Sequence, residues 1–422
     1  MDILTTSSDT PRLPQEMIDH ILAFIRPMCD DKASAAAALY RCAIAGRELL
    51  FPARGLLYKE IDLTSRIPNS SAGLLARTLH ADPELGKAIK TLRMNTDLLF
   101  KRSRLFGGSD YDLDIPAFPF HLMPELHTLM LCGGNWLIDL YSFARNVISC
   151  FSKLKYLDCD KVPFAWAKCA TFSPSDIELP KLKTLRFRPA GRDYPCPFAE
   201  LLQNWLRPCI VNLDTLTVVW TMDILTWLLA VSAASANLRS LTVSTTDWVD
   251  RPTFEEALGS RANCHIYVFD IVAQCASLQF LCINFRHEPS DPYNDAPALL
   301  EALCDLLSRN HAPIPQLTHL ELKLAARDYN GDPLRAMPFE PALRARFSVC
   351  LLDRDKYPQF RSLAFRLWLE YWMDRTSWDR RWEIRFSDQT TGSEKETLVK
   401  TWRTAFAAFD DAPRLLLDVH VS

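Results

Sequence analysis

The segments LKYLDC, residues 154–159, and LKTLRF, residues 182–187, share one pattern, with apolar residues at positions 1, 4 and 6. This pattern occurs nine times between residues 89 and 365. Because side chains alternate along a strand, positions 4 and 6 face a core, whereas positions 3, 5 and 7 face outward. The pattern predicts short strands that share one core. Position 4 is a leucine in all nine copies: Leu92, Leu129, Leu157, Leu185, Leu216, Leu241, Leu281, Leu320 and Leu363.

The segments between these strands carry apolar residues at helical spacing. After the strand that begins at Leu278, for example, Leu299, Leu303 and Leu306 fall on one helical face. Three other strands are followed by similar stripes. Parallel strands need a crossover between each pair, so the alternation predicts an irregular α/β solenoid over residues 89–370, with parallel strands inside and helices outside. The alternative is an ordinary α/β domain with leucine-rich strands.

Residues 371–422 have a different composition, in which tryptophans and arginines are interleaved near the start. Aromatic and basic side chains together can bind single-stranded nucleic acid. The i, i+4 spacing of Trp368 and Trp372, and of Trp378 and Trp382, instead suits packing, and a terminal repeat needs a cap. We therefore predict a Trp-rich C-terminal cap over 371–422 and no nucleic-acid partner.

The composition excludes several classes of function. The chain of 422 residues has a formal net charge of −3, which gives no electrostatic case for binding nucleic acid. It has 12 glycines and neither a G-x-G nor a G-x-x-x-x-G-K motif, so the common phosphate-binding loops are missing. The 13 cysteines include no C-x-x-C pair, which favours a reducing compartment over a disulfide framework. We expect no cofactor and no metal site.

The sequence also carries no targeting or membrane signal. The N-terminus, MDILTTSSDTP, has neither a basic start nor a long apolar stretch. No run approaches the roughly 20 apolar residues that span a bilayer. We predict a protein of the cytoplasm, the nucleus or both, with no membrane partner.

A helical module of a different texture occupies residues 12–63. RLPQEMIDHILAFI combines a Pro at the helix start with an apolar stripe at Ile18, Ile21, Leu22 and Ile25. An Ala-rich stretch and the segment LLFPARGLLYKEIDL supply two further helices. So short a module often leaves apolar surface for a partner.

The module resembles the F-box of fungal F-box proteins. LPQEMIDHILAFI is similar to the opening of that motif, and the spacing of the later residues fits its second and third helices. Residues 64–88 resemble the helical link to a first repeat, and the solenoid resembles irregular leucine-rich repeats without their usual Asn. The chain departs from the family at Gly46, where a Cys is usual, and at Leu49, where a Trp is usual.

The resemblance implies a substrate-recruiting F-box subunit of a Skp–cullin–F-box ubiquitin ligase, acting in ubiquitin-dependent protein degradation. The partners would be a Skp-type adaptor, through it a cullin, and a protein substrate. Each apolar side chain of the module has a second interpretation, as part of the module's own core. The residues predicted to contact the adaptor are Leu13, Pro14, Ile18, Ile21, Leu22, Ile25, Leu39 and Leu49.

A substrate is expected on the outward positions of the strands, where aromatic and arginine side chains favour binding. The alternative is that the acidic residues of one strand and the basic residues of the next form a simple cross-strand ion pair. The predicted substrate-binding residues are Tyr156, Asp158, Arg186, Arg188, Phe280, Asn284, His319 and Arg366.

The sequence predicts no enzyme. It has no H-E-x-x-H and no G-x-S-x-G motif. Two alternatives to the ligase subunit stay open. One is a repeat protein with a degenerate F-box that acts as an interaction scaffold outside any ligase. The other is a Cys-dependent hydrolase that uses Cys264 with His265, or Cys304 with His311.

Overall fold

The structure is a computed structural model of the full chain. It describes residues 14–29, 31–64, 70–96, 118–133, 138–139, 143, 146–162, 164–165, 180–189, 211–219, 236–244, 269–287, 296–309, 314–327, 337–370, 392–410 and 416–421.

Within these ranges the chain forms nine α-helices, three of which come first and in close succession. They are α1 Gln15–Met28, α2 Lys32–Ala45, α3 Arg47–Tyr58, α4 Ser70–Ala81, α5 Pro83–Gly86, α6 Ala296–Ser308, α7 Pro341–Leu352, α8 Gly392–Ala405 and α9 Ala407–Asp410.

The same ranges contain thirteen β-strands. They are β1 Glu60–Leu63, β2 Thr91–Asn95, β3 Thr128–Cys132, β4 Ile138–Asp139, β5 Tyr156–Val162, β6 Phe164–Ala165, β7 Thr184–Pro189, β8 Thr215–Val219, β9 Ser240–Ser244, β10 Phe280–His287, β11 His319–Arg327, β12 Ser362–Glu370 and β13 Leu416–Val421.

One parallel sheet contains eleven of the described strands, and each strand pairs with the next in chain order. The short strands β4 and β6 pair separately. Parallel pairing in sequence order is the arrangement of an α/β solenoid, in which each unit contacts its neighbours. The α/β class and the parallel strands predicted from the sequence are therefore confirmed.

The leucines at position 4 lie opposite one another across the sheet. Leu92 pairs with Leu129, and this register continues strand by strand to Leu363. Each of the nine leucines is buried, with at most 3% of its surface exposed. We name these nine residues the leucine ladder. Burial of a leucine contributes about 1.5 to 3 kcal/mol, so the ladder makes a substantial contribution to the apolar core of the sheet.

The sheet is longer at both ends than the sequence predicted. β1 lies in the segment assigned to the helical module, and β13 lies in the segment assigned to the cap. Ile61 and Leu417 continue the leucine ladder at its two ends. When the sequence pattern is aligned on β1, its position 4 is Ile61 instead of leucine. When it is aligned on β13, its position 1 is Arg414 instead of an apolar residue. Both strands therefore differ from the pattern that identified the other nine.

Helices cover the buried face of the sheet where the chain between the strands is described. α6 buries Leu299, Leu300 and Leu303 in the core that also contains the leucine ladder. At the C-terminal end, α8 and α9 place Trp402, Phe406 and other aromatic side chains in the same core. Trp368 lies in β12, whereas Trp372, Trp378 and Trp382 lie outside the described residues.

The first three helices pack on one another around a separate, small core. Its buried residues are Ile18, Leu22, Leu39, Ala43 and Ala53. We refer to residues 14–58 as the three-helix module. The carbonyl of Pro14 accepts hydrogen bonds from the N–H groups of Met17 (3.0 Å) and Ile18 (3.2 Å), and Asp31 caps α2 by accepting from the N–H of Ser34 at 2.8 Å.

Candidate partner-binding surfaces

Helix α1 has two apolar faces, only one of which is covered. Ile18 and Leu22 are buried in the module core, and Ile25 is half-buried beside them. A second set, Met17, Ile21, Phe24 and Met28, has more than half of its surface exposed, with values of 51, 51, 51 and 80%. The spacing of four, three and four residues places this set along one side of the helix. We call these four residues the α1 stripe.

The other helices of the module also expose large apolar side chains. Tyr40 and Ile44 lie one turn apart on α2, and Phe51 lies on α3, with exposed fractions of 62, 68 and 75%. Seven of the eleven exposed large hydrophobic residues among those described belong to the module. Such a concentration of exposed apolar side chains is typical of a protein-binding surface.

The predicted adaptor contacts divide into three groups. Pro14 and Ile21 are exposed. Ile18, Leu22 and Leu39 lie in the module's own core, as the second interpretation of these residues had it, and Ile25 and Leu49 are half-buried against that core. Leu13 lies outside the described residues. On α1 the predicted contacts were limited to one apolar stripe, so they omitted Met17, Phe24 and Met28, whose shared spacing was readable in the sequence.

On the outward face of the sheet, Tyr156, Asp158 and Arg186 form one group. The Tyr156 hydroxyl donates to Asp158 Oδ2 at 3.2 Å, and Arg186 Nη1 lies 3.9 Å from the same oxygen. The Arg186 guanidinium carbon also lies 5.7 Å from the centre of the Tyr156 ring, a cation–π distance. Asp158 and Arg186 pair across β5 and β7 as the sequence indicated, and so do Asp160 and Arg188, although the side chain of Arg188 is outside the description.

A second group lies on β10 to β13. The rings of Phe280 and His319 are 6.4 Å apart. Further along the same strands, Arg366 Nε lies 3.2 Å from Glu321 Oε1, and Arg366 Nη2 lies 2.8 Å from Asp418 Oδ2. Ion pairs at a surface contribute about 0.2 to 1 kcal/mol each, so this network does little for stability.

The structure does not bring these two groups together. Four strand spacings separate Tyr156 from Phe280 in the same row of outward positions. At about 4.8 Å per spacing, the two residues are about 19 Å apart. Thr215 on β8 and Ser240 on β9 lie between them in that row, and Asn284 lies on β10 in register with Lys323 and Arg366. The predicted substrate residues are thus two separate clusters on one polar face.

The cysteine of the hydrolase alternative is poorly suited to nucleophilic attack. Cys304 is buried in α6, and burial raises the pKa of its thiol to about 12. A catalytic thiol needs the opposite change, a lowered pKa. Cys264, His265 and His311 lie outside the described residues.

Neither a metal-binding cluster nor a membrane-spanning helix occurs in the described part of the chain. No cluster of three or more His, Cys, Asp or Glu side chains that could hold a metal ion occurs there. None of the helices described has both the length and the apolar character needed to cross a bilayer.

Comparison with known proteins gives no assignment. No protein-family model matches the chain, and none of the curated proteins matches it either.

Proposed function

We propose that the chain is the substrate-recruiting F-box subunit of a Skp–cullin–F-box ubiquitin ligase. The observation that carries the proposal is the α1 stripe, an uncovered apolar face on a small helical module that precedes a parallel α/β sheet. The module would bind a Skp-type adaptor and through it a cullin, and the repeat region would bind a protein substrate. Ubiquitin transfer to the substrate then depends on proximity, because bound substrate meets activated ubiquitin at high effective concentration.

The energetics of the α1 stripe favour a protein partner. Full burial of a side chain such as Ile21 or Phe24 contributes about 1.5 to 3 kcal/mol before the cost of association. Both residues lie on a rigid helix whose opposite face is fixed in the module core by Ile18 and Leu22. A pre-ordered helix face loses little conformational entropy on binding, which strengthens the interaction.

The departures from the usual F-box sequence are compatible with this arrangement. Leu49, at the position where a Trp is usual, packs half-buried against the module core. Gly46 lies between α2 and α3 with an extended backbone (φ −169°), and a Cβ added there would meet no atom within 4 Å. The module therefore keeps three packed helices although both residues differ.

The substrate would bind on the outward face of the sheet. Tyr156 with Arg186, and Phe280 with His319, supply aromatic and cationic side chains of the kind that dominate protein interfaces. Their separation suits a substrate that contacts the face at two places. The Asp158–Arg186 pair also has the simpler role of a surface ion pair.

Direct binding of a purified Skp-type adaptor to the intact chain tests the proposal. The variant Ile21→Asp with Phe24→Asp places two charges in the interface, and we expect it to lose about 3 to 6 kcal/mol of binding free energy. Isothermal titration calorimetry measures the loss. Because both side chains are exposed in the free chain, circular dichroism should be unchanged.

The control is Val349→Asp, which adds a charge at an apolar residue of α7 that is 70% exposed and far along the chain from the module. It should bind the adaptor as tightly as the unmodified chain. If the intact chain does not bind the adaptor, or if the double variant binds as well as the control, the ligase assignment fails and the scaffold outside any ligase is the function to test.

A further inference from the structure

A row of lysines follows the edge of the sheet where its first strands begin. The residue directly before each strand is Lys59 for β1, Lys90 for β2, His127 for β3, Lys155 for β5 and Lys183 for β7. The carbonyl of Lys59 accepts from Lys90 N at 3.0 Å, and the same pattern joins each residue to the next, at 2.8 to 2.9 Å. These backbone hydrogen bonds fix the row as five successive rungs.

The rungs are evenly spaced and close together. Neighbouring strands lie about 4.8 Å apart, so four spacings give a row about 19 Å long. Lys153 and Lys181 lie two residues before Lys155 and Lys183 and are exposed at the same edge. We call the six lysines of this edge the lysine row: Lys59, Lys90, Lys153, Lys155, Lys181 and Lys183.

Few carboxylates neutralise this charge. Glu125 contacts Lys90 at 3.2 Å and also pairs with Lys153, and Asp214 Oδ2 lies 3.4 Å from Lys183 Nζ. Lys59, Lys155 and Lys181 are exposed and make no ion pair with any described residue. These six lysines and two carboxylates together carry a charge of +4 (6 − 2), on a chain whose net charge is −3.

Glu125 shows which chemistry the lysine row accepts. Its two carboxylate oxygens each receive a hydrogen bond from a lysine, one from Lys153 and one from Lys90. These hydrogen bonds hold the pKa of Glu125 below its usual value. At His127, partial burial lowers the pKa of the imidazole, and the charges of Lys90, Lys155 and Lys153 lower it further. The field along this edge is thus positive and favours carboxylates.

We propose that the lysine row is a docking site for an acidic segment of a partner protein, whose Asp and Glu side chains pair with Lys59, Lys155 and Lys181. The site is separate from the α1 stripe and from the outward face, and so it goes beyond the ligase subunit proposed above. Lysine ammonium groups at regular spacing attract carboxylates without imposing one fixed geometry. Such a site raises the association rate with an acidic partner and weakens as salt is added.

A protein segment fits better than a nucleic acid. Single-stranded nucleic acids need aromatic side chains on which bases stack, whereas His127 is the one aromatic residue among the five rungs, and it is half-buried. A row about 19 Å long also offers few phosphate contacts, and the negative net charge of the chain opposes the approach of a long polyanion.

The test is binding of a fluorescent oligoglutamate peptide to the intact chain, followed by fluorescence anisotropy at low salt. Lys155→Glu with Lys181→Glu should weaken binding about tenfold or more, because it reverses two unpaired charges of the row. The control, Lys395→Glu with Lys400→Glu, makes the same charge change on α8 and should shift the affinity by less than about twofold. The charge-conserving variant Lys155→Arg with Lys181→Arg should bind as the unmodified chain does.

Equal losses in the row variant and the α8 control would overturn the proposal, since the peptide would then respond only to overall charge. So would a single-stranded oligonucleotide of equal charge that binds more tightly than the peptide and is lost in the row variant. The peptide assay contains no adaptor, so its result is independent of the ligase assignment.

Discussion

The three-helix module and the parallel sheet treat apolar side chains in opposite ways. Every residue of the leucine ladder is buried, and all nine belong to one core that also contains side chains of the described helices. In the module, α1 buries one apolar face and leaves the α1 stripe exposed. Within the sheet each strand packs against its neighbours, which buries the ladder positions. The module has too few residues to cover its own apolar surface, and its exposed faces are therefore the best candidates for a protein contact.

The largest effect is expected at the C-terminal end of the sheet core. Trp402 is fully buried, and its ring centre lies 4.8 Å from that of Phe365 and 6.2 Å from that of Phe406. Trp402→Ala should lower the free energy of unfolding by about 3 to 5 kcal/mol, because it removes these contacts and leaves a cavity. Urea denaturation followed by far-UV circular dichroism measures the loss.

Trp402→Phe separates the ring contacts from the indole N–H. The Nε1 atom of Trp402 is buried and has no hydrogen-bond partner among the described residues. An unpaired buried donor costs about 1 to 3 kcal/mol. Removal of the indole N–H in the phenylalanine variant therefore offsets part of the stability that is lost with the smaller ring. We expect it to retain most of the stability. A loss as large as that of the alanine variant would show that the indole N–H has a partner in the folded chain.

The contrast between the two faces of α1 gives the second prediction. Leu22 is 1% exposed in the module core, and Ile21, its neighbour in sequence, is 51% exposed. Leu22→Ala should destabilise the module by about 2 to 5 kcal/mol, whereas Ile21→Ala should change its stability by no more than about 0.5 kcal/mol. The experiment thus compares two alanine variants of one helix.

Two spectroscopic signals distinguish the module from the sheet in this experiment. All eleven tryptophans lie outside residues 14–58, so tryptophan fluorescence reports on the rest of the chain. In Leu22→Ala, helical circular dichroism should be lost at lower urea than the fluorescence change. Coincident transitions would instead mean that module and sheet unfold as one unit.

The sheet was largely predictable from the sequence because its signal is repeated. The nine strands with Leu at position 4 are all present and lie in the register that aligns those leucines. β1 and β13 were missed because an end strand is covered on one side only and its sequence is less constrained. YKEIDL, residues 58–63, does keep apolar residues at positions 1, 4 and 6, so a search that accepted Ile61 in place of leucine finds β1.

The surfaces were less predictable, because helical spacing does not show which apolar face is covered. Ile18 and Ile21 belong to the same short segment, yet one is 4% exposed and the other 51%. The difference depends on where α2 and α3 pack, which is a tertiary property. The lysine row was missed for a similar reason, since its five rungs are 28 to 37 positions apart in sequence and become neighbours only through the register of the strands.

The smallest expected effect, roughly 1 kcal/mol per pH unit, is that of a single buried thiol of the sheet. Burial raises the pKa of Cys275, Cys282 and Cys304 to about 12, from an ordinary value of 9.0. Between pH 9 and 12 the unfolded chain therefore loses thiol protons that the folded chain keeps, and unfolding becomes more favourable. The stability that these neutral thiols contribute is complete below pH 9 and is lost as the pH rises toward 12, by roughly 1 kcal/mol per thiol and pH unit.

Cys275→Ala isolates the share of one thiol in that loss. The alanine leaves a small cavity whose cost does not depend on pH, so the variant starts less stable at pH 8 but should lose stability more slowly above pH 9. Urea midpoints from tryptophan fluorescence under reducing conditions give the two slopes. Equal slopes for variant and unmodified chain would mean that Cys275 reaches solvent in the folded state, and the sheet would then be less completely closed than the leucine ladder implies.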